Sequence, residues 1–237
     1  MASRSFVNRS LGATTSDKKS GTLSLGVNGD ISDMSGQGAY ATYAVQWALG
    51  RLNLDAWAAD KAQDAATALT HGSFDKWSGQ ASYLARVSSS SALYAGFSGQ
   101  WTGKNLDSSE KFVLGGPQGV RAYPTGEAVG DEGWLLNFEW RNEIKRDWRV
   151  SLFVDHGMVA LHRNPWTNWN AAMPALGNRY ALSGAGASVV WTPTRRAQVS
   201  ASLASRLGQN PAHDPNGRDS NNRPAAPQLW LQLNLQL

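Results

Sequence analysis

The alternation of apolar and polar residues constrains the fold of this chain more than any other feature. In Gln228–Leu237 a leucine occupies every second position, and the residues between them include Gln232, Asn234 and Gln236. Successive side chains of a β-strand point to opposite faces, so this pattern predicts a strand with one apolar and one polar face. Similar segments recur along the chain, which predicts an all-β fold.

Nine segments carry this pattern, and many of them reach ten residues or more. That length exceeds the usual strand of about five or six residues and matches a tilted strand that spans a membrane. The predicted strands are Thr22–Ile31, Gly38–Asn53, Phe74–Val87, Ala92–Gly103, Gly133–Glu143, Asp147–Val159, Arg179–Trp191, Ala197–Leu207 and Gln228–Leu237, with a tenth if residues near Ser5–Ser10 pair. The residues expected to face lipid include Trp134, Leu136, Phe138, Trp140, Leu231, Leu233 and Leu235.

Short and long connections alternate between these strands. The predicted short links are Ser32–Gln37, Ser88–Ser91, Lys145–Arg146 and Thr192–Thr194. The predicted long links are Leu11–Gly21, Leu54–Ser73, Lys104–Glu132, Ala160–Asn178 and Gly208–Pro227, with a short helix in the Ala-rich segment Ala56–Leu69. Outer-membrane barrels alternate tight periplasmic turns with long outer loops. The sequence therefore predicts an antiparallel transmembrane β-barrel, with a soluble sandwich as the alternative.

Composition agrees with this fold and excludes other classes. The eleven Trp residues suit membrane interfaces, and the 24 Gly residues suit curved sheets. No apolar run approaches the roughly 18 residues that a membrane-spanning helix needs. The net charge is +4, but Lys and Arg are scattered, so no nucleic-acid partner is expected. The first residues lack the apolar core of a signal peptide, so we expect a fragment of a longer protein.

We find no catalytic constellation in the sequence. The four His residues are dispersed without metal-ligand spacing, and no nucleophile elbow, P-loop or dinucleotide fingerprint is present. We therefore predict no enzyme activity, no metal and no cofactor. Glu139 and Arg141 share the polar face of one strand with Arg149 of the next, and they are expected to form a charge ladder.

A Gly-rich segment, Phe112–Gly133, contains the tetrad Val120, Arg121, Ala122 and Tyr123. This segment resembles the signature loop of two-partner secretion transporters of the ShlB/FhaC type. In that family a Val-Arg-Gly-Tyr/Phe tetrad lies at the tip of a loop that folds back into the barrel lumen. Ala122 replaces the usual Gly, which would be strained if the position required a positive φ.

A second family motif, Phe-x-Asp-x-Gly, is present as Phe153, Asp155 and Gly157. Alternation along Asp147–Val159 independently places these three residues on the lumen face. In the family the Asp pairs with the Arg of the loop, so the resemblance implies contact between Arg121 and Asp155. A guanidinium is a planar fork that matches a carboxylate, and such a pair can hold a loop in one position.

The resemblance implies that residues 1–237 form the last nine or ten strands of a sixteen-stranded outer-membrane β-barrel, without the POTRA domains and early strands. It implies a pore that translocates an unfolded exoprotein of the haemolysin or adhesin type. The implied partners are the secreted exoprotein (through the POTRA domains), outer-membrane lipid and the barrel-assembly machinery. The alternatives are a soluble or surface β-rich binding module, such as a lectin-like sandwich, and an outer-membrane enzyme.

Overall fold

Most of this chain consists of long β-strands. The computed structural model describes residues 2–10, 13–32 and 38–236. In chain order the elements are β1 (Ala2–Ser10), β2 (Ala13–Ser32), β3 (Tyr40–Asn53), α1 (Ala58–Ala66), β4 (Gly72–Arg86), β5 (Ser91–Thr102), a 3-10 turn (Ser108–Glu110), β6 (Phe112–Val113), β7 (Val129–Gly130), β8 (Glu132–Lys145), β9 (Trp148–Ala160), β10 (Arg179–Thr194), β11 (Ala197–Arg206) and β12 (Gln228–Leu235).

Ten of these strands form one antiparallel sheet in the order β1-β2-β3-β4-β5-β8-β9-β10-β11-β12. Each strand therefore pairs with the next long strand of the chain, and β6 and β7 form a separate small hairpin between β5 and β8. A sandwich would divide the strands between two sheets, so this order contradicts the alternative of a lectin-like module. Within the described ranges β1 and β12 are the edge strands of the sheet.

The nine predicted strands are confirmed, and the tenth, near Ser5–Ser10, is β1. The predicted long link Leu11–Gly21 is wrong, because β2 already begins at Ala13 and pairs with β1 from Ser10↔Ala13 to Ala2↔Thr22. Residues 11, 12 and 33–37, which include most of the predicted link Ser32–Gln37, lie outside the described residues. The predicted link Thr192–Thr194 is also displaced, because β10 continues to Thr194.

Four long connections emerge from one end of the sheet, and we call them loop A (residues 54–71), loop B (103–131), loop C (161–178) and loop D (207–227). The predicted helix of loop A is α1, which ends within the predicted segment Ala56–Leu69. Neither helical segment of the described ranges has the length and apolar character of a membrane-spanning helix. The opposite end carries short turns, such as residues 146–147 and 195–196.

The outer face of the sheet is apolar and exposed. Phe138 is 54% exposed and Leu231 is 72% exposed, and both belong to the set predicted to face lipid. The register aligns Phe138 with Val154 and Trp140 with Leu152, so apolar residues of adjacent strands form continuous rows. Folding in water would bury such surface, whereas a lipid environment matches it.

The buried core lies on the opposite, inner face of the sheet. Its residues come from loop B and from the strands β8 to β11: Leu114, Val120, Ala122, Tyr123, Ala128, Leu135, Phe153, Val159, Tyr180, Leu182 and Ala204. This core does not fill a gap between two sheets. It forms where loop B packs against the inner face, so the fold places the tip of this loop beside the polar side chains of β8 and β9.

Candidate functional site: loop B on the inner face of the sheet

Loop B is shaped by backbone hydrogen bonds above the β6–β7 hairpin. The amide of Leu114 donates to the Ala128 carbonyl (3.1 Å), and the amide of Val120 donates to the Leu114 carbonyl (2.7 Å). Gly119 lies so close to the Leu114 carbonyl that a Cβ at this position would clash with the backbone. Gly is therefore required here for a tight turn, and this turn brings the tetrad to the tip of the loop.

The tetrad is buried against the sheet. Val120, Ala122 and Tyr123 have no exposed surface, and the Arg121 side chain is 12% exposed. The three apolar or aromatic side chains contribute to the core, while Arg121 reaches toward polar groups of β8 and β9. The tip of loop B is thus anchored by burial as well as by charge.

Arg121 and Asp155 form a bidentate ion pair. Arg121 Nε donates to Asp155 Oδ2 at 2.9 Å, and Arg121 Nη2 donates to Asp155 Oδ1 at 2.7 Å. The backbone amide of Arg121 also donates to Asp155 Oδ2 at 3.0 Å. Asp155 is fully buried, and Asn137 Nδ2 donates to its Oδ1 at 2.8 Å. The structure therefore brings together Arg121 and Asp155, and it surrounds the carboxylate with four donor groups.

A second carboxylate extends this pair along β8. Arg121 Nη1 donates to Glu139 Oε1 at 2.7 Å, and Arg141 Nε donates to Glu139 Oε2 at 2.7 Å. Positive and negative groups thus alternate from Asp155 through Arg121 and Glu139 to Arg141. The predicted ladder between Glu139 and Arg141 is present, but the structure shows no ion pair between Arg149 and this series among the described residues.

Two aromatic residues hold Arg121 from other directions. The guanidinium carbon lies 3.4 Å from the centre of the Phe153 ring, which is a cation–π contact. Trp230 Nε1 donates to the Arg121 carbonyl at 2.8 Å. Phe153 belongs to the predicted motif, but the role of Trp230 was missed. The sequence feature that could have indicated this role is the position of Trp230. It is an aromatic residue on the otherwise polar inner face of the strand Gln228–Leu235.

Glycines of β9 and β10 make room for the loop. A Cβ at Gly184 would lie 2.5 Å from the Ala122 Cβ, and one at Gly157 would lie 2.5 Å from Leu114 Cδ1. The expected strain at Ala122 is absent, because Ala122 is not among the described non-Gly residues with positive φ. Its methyl group is accommodated because Gly184 has no side chain.

Glu127 attaches loop B to loop D. Its side chain is 2% exposed; Oε1 accepts from Asn210 Nδ2 at 2.8 Å, and Oε2 accepts from the Ser220 amide at 2.9 Å. Asn210 also donates to Asp219, whose carboxylate pairs with Arg206 of β11. The Gly-rich segment of the sequence contains Glu127, but its partner could not be predicted. No sequence feature of loop D marks Asn210 as the donor to the Glu127 carboxylate.

Asp131 joins loop B to loop C. Its fully buried carboxylate pairs with Lys111 Nζ (2.8 Å) and accepts from the amides of Leu106 (3.1 Å) and Arg163 (2.8 Å). Asn105 of loop B adds links to two loops, since its Nδ2 donates to the Asn164 carbonyl of loop C and to the Ala68 carbonyl of loop A, each at 2.8 Å. Loops A to D are therefore connected to one another through loop B rather than hanging free.

The arrangement is suited to holding a loop in place. Within the described residues no three His, Asp or Glu side chains gather to hold a metal ion. The charged groups of the site, Arg121, Asp155, Glu139 and Arg141, are paired with one another. This geometry holds loop B in one conformation on the inner face.

Comparison with known proteins places these features in context. The model of the family described as haemolysin secretion/activation protein ShlB/FhaC/HecB matches residues 3–180. The heme/hemopexin transporter protein HuxB of Haemophilus influenzae (strain 86-028NP) is 29% identical over 123 residues, which are 50% of this chain and 21% of that protein. HuxB of strain ATCC 51907 is 36% identical over 77 residues, or 31% of this chain and 14% of the relative.

The fold is similar to that of a solved structure. CdiB from Escherichia coli superposes with a TM-score of 0.63 at 18% identity, covering 93% of this chain and 37% of that chain. The aligned region therefore spans only a minor part of each relative. At this identity the structural likeness concerns the fold alone: the ten-stranded sheet matches part of the CdiB fold.

Proposed function

Because this chain belongs to the ShlB/FhaC/HecB family of haemolysin secretion/activation proteins, we propose that it forms part of a pore through which an unfolded exoprotein crosses the outer membrane. The chain is an outer-membrane β-barrel protein, and its exposed apolar outer face matches a lipid environment. The polar inner face then lines the path of the exoprotein. A haemolysin or adhesin precursor is the class of exoprotein that we propose.

One observation carries the proposal, which is the bidentate contact of Arg121 with Asp155 at 2.9 and 2.7 Å. This contact holds loop B against the inner face of the sheet, which lines the lumen of the proposed pore. There the loop narrows the path of the exoprotein. A polypeptide that crosses the barrel must pass beside loop B or displace it. We therefore propose that the pair acts as a latch that fixes one position of the loop during assembly and export.

The rest of the protein lies, in this proposal, outside the chain described. Residues 1–237 supply the later strands of a larger barrel, and further strands pair with the edges of β1 and β12. Unpaired edges cannot persist in lipid, because every backbone polar group there needs a partner. Recognition of the exoprotein belongs to periplasmic POTRA domains, and insertion into the membrane requires the barrel-assembly machinery.

Secretion assays on the full-length protein test the latch. Arg121→Ala and Asp155→Ala should each reduce release of the exoprotein, and the double variant should be little worse than either alone, because both changes remove the same pair. Arg195→Ala, on a short turn away from loop B, is the matched control and should secrete normally. Amounts of folded protein in the outer membrane are compared by heat-modifiable migration.

Additive defects would contradict a shared latch, and normal secretion by both single variants would remove its role in export. Asp155 is fully buried and the Arg121 side chain is 12% exposed, so loss of the pair should destabilise the protein by up to roughly 3–5 kcal/mol. Comparable amounts of folded variant and wild-type protein would therefore show that a secretion defect arises in transport and not in folding.

A further inference from the structure

Three arginines lie close together at the short-turn end of the inner face. Arg86 ends β4, Arg141 lies on β8, and Arg149 lies near the start of β9. The register aligns Ala92 of β5 with both Arg86 and Arg141, so these two side chains share one row of the sheet. All three line a single cavity of about 120 Å³ beside the turn that joins β4 to β5. We call this cavity the arginine pocket.

The pocket has more positive than negative charge. Glu143 is the single acidic residue that lines it. Arg141 is engaged with Glu139 through Nε, and its guanidinium lies 3.9 Å from the centre of the Tyr94 ring. Arg149 Nε is buried without a hydrogen-bond partner, and within the described ranges neither Arg86 nor Arg149 is in an ion pair.

A single carboxylate in the cavity, that of Glu143, which the register places opposite Arg149, does not balance three guanidinium groups. Like charges repel in a partly enclosed space, and a buried donor without a partner is destabilising. Nothing in the latch needs Arg86 or Arg149, because Arg121 is satisfied by Asp155 and Glu139. The pocket is therefore separate from the latch, and Arg141, which binds Glu139, connects the two.

We propose that the arginine pocket binds acidic side chains of the polypeptide that crosses the pore. This inference rests on the proposed function, which supplies a polypeptide at this place. A guanidinium matches a carboxylate with two parallel hydrogen bonds, so Asp and Glu side chains are the ligands that fit. Short turns mark the periplasmic end of an outer-membrane barrel, so an exported chain meets the pocket as it enters.

The spacing of the arginines defines the segment that would fit. β4 and β8 are separated by one strand, so Arg86 and Arg141 are about 10 Å apart along the row. A chain in the polyproline II conformation has three residues per turn and rises about 3.1 Å per residue, so acidic residues three positions apart point to the same side and can reach both guanidinium groups. The inferred ligand is an extended segment with two acidic residues. Binding to the arginine pocket orients this segment toward the lumen.

Peptide binding to the full-length protein in detergent tests the inference. Three labelled ten-residue peptides share a Gly-Ser background and carry two Glu, two Gln or two Lys residues, three positions apart. Fluorescence anisotropy should show the Glu peptide binding at least about tenfold more tightly than the others. Arg86→Gln/Arg149→Gln should weaken it about tenfold, and the control Arg195→Gln/Arg196→Gln, with the same charge change on a neighbouring turn, should not.

Several outcomes would overturn the inference. Equal binding of the three peptides, or an unchanged affinity in the Arg86/Arg149 double variant, would show that the pocket does not recognise acidic segments. Competition by inorganic phosphate at the concentrations at which the peptide binds would reassign the pocket to small anions. If the double variant fails to fold, the single variant Arg86→Gln, at a strand end, gives the same comparison.

The proposed function is judged by a separate measurement. Wild-type protein that secretes its exoprotein but does not discriminate between the peptides refutes the arginine pocket alone. Wild-type protein that binds the Glu peptide but exports nothing refutes the secretion role and leaves the binding site in place.

Discussion

At the scale of single residues, Arg121 holds the site together because its guanidinium, its amide and its carbonyl all have partners. Its guanidinium contacts Asp155 and Glu139, its amide contacts Asp155, and its carbonyl accepts from Trp230. Lys could supply the charge but not the planar fork, so this position depends on Arg. The contacts of Asp155 were implied by a motif, whereas those of Glu139 and Trp230 depend on the register between strands distant in sequence.

Ala122 and Gly184 form a complementary pair. Gly184→Ala should destabilise the protein by roughly 1–3 kcal/mol, because the new Cβ would lie 2.5 Å from the Ala122 Cβ. The exchange Ala122→Gly/Gly184→Ala should restore most of the lost stability, since it moves one methyl group across the contact. Chemical unfolding in detergent measures both changes. Gly79→Ala is the control, because its nearest neighbouring atom is 4.0 Å from the new Cβ.

His162 of loop C should make stability depend on pH. Burial, and then the nearby Lys111 ammonium, lowers the pKa of His162, while Asp131 opposes this shift. The ring lies between Trp166 and Trp169, with centroids 4.5 and 5.3 Å away. The folded state therefore favours the neutral His162 ring. In the unfolded state His162 has its ordinary pKa of about 6.5, so its ring is protonated to a greater extent than in the folded state.

The contribution of the neutral His162 ring to stability should thus be fully present above about pH 6.5. It should decrease as the pH drops through the lowered pKa of the folded state, by at most about 1.4 kcal/mol per pH unit. Thermal unfolding between about pH 5 and 7.5 measures the effect. His162→Gln should reduce the slope, and the exposed control His213→Gln should keep it. A slope that is the same in all three proteins would assign the pH dependence to other groups.

At the scale of elements, loop B organises the other three long loops. Asp131 binds loop C, and Glu127 binds loop D through Asn210. Both carboxylates are almost completely buried, so they act as fixed junctions and not as solvated surface charges. Release of loop B would therefore loosen loops C and D as well.

Asp131→Asn tests this coupling. The substitution leaves the Lys111 charge without its partner, and we expect a loss of roughly 3–5 kcal/mol in the stability of the loop cluster. Hydrogen exchange of residues 103–131 and 161–178 should increase together, while that of β3 and β4 should change little. Asp60→Asn in α1 is the control and should leave both loops protected. Faster exchange in loop B alone would show that loop C is held independently.

The strands were predictable from sequence, but the loop contacts were not. Alternation of apolar and polar residues is local, so it revealed nine strands and most turns. It failed at Leu11–Gly21, where polar residues carry no alternation and β2 is defined by pairing with β1. The junctions at Glu127 and Asp131 join segments up to 93 residues apart, and a single sequence contains no signal for such pairing.

At the scale of the whole molecule, the sheet separates an apolar outer face from a charged inner face. Phe138 and Asn137 are adjacent in β8 but point to opposite sides. Phe138→Lys should destabilise the protein in lipid by roughly 2–4 kcal/mol if it lies near the bilayer midplane, and Asn137→Lys should cost much less. Unfolding from lipid vesicles measures the difference. Leu231→Lys and Gln232→Lys repeat the comparison on β12, and equal costs on both faces would contradict the orientation of the sheet.

The alternating series of Asp155, Arg121, Glu139 and Arg141 also has an electrical consequence. Arg121 is the one member carried by the loop, while the other three are fixed to β8 and β9. Withdrawal of loop B removes a positive charge and leaves two carboxylates and one guanidinium on the wall. In the proposed pore, the state with loop B withdrawn should then prefer cations more than the state with loop B latched.

The reversal potential across a planar bilayer under a KCl gradient measures this preference. Arg121→Gln should shift it toward cations even without movement of the loop, and Arg195→Gln should not. In the proposed pore, ionic current would thus report the position of loop B during export. Arg121 moves with loop B, and its positive charge balances the carboxylates of β8 and β9.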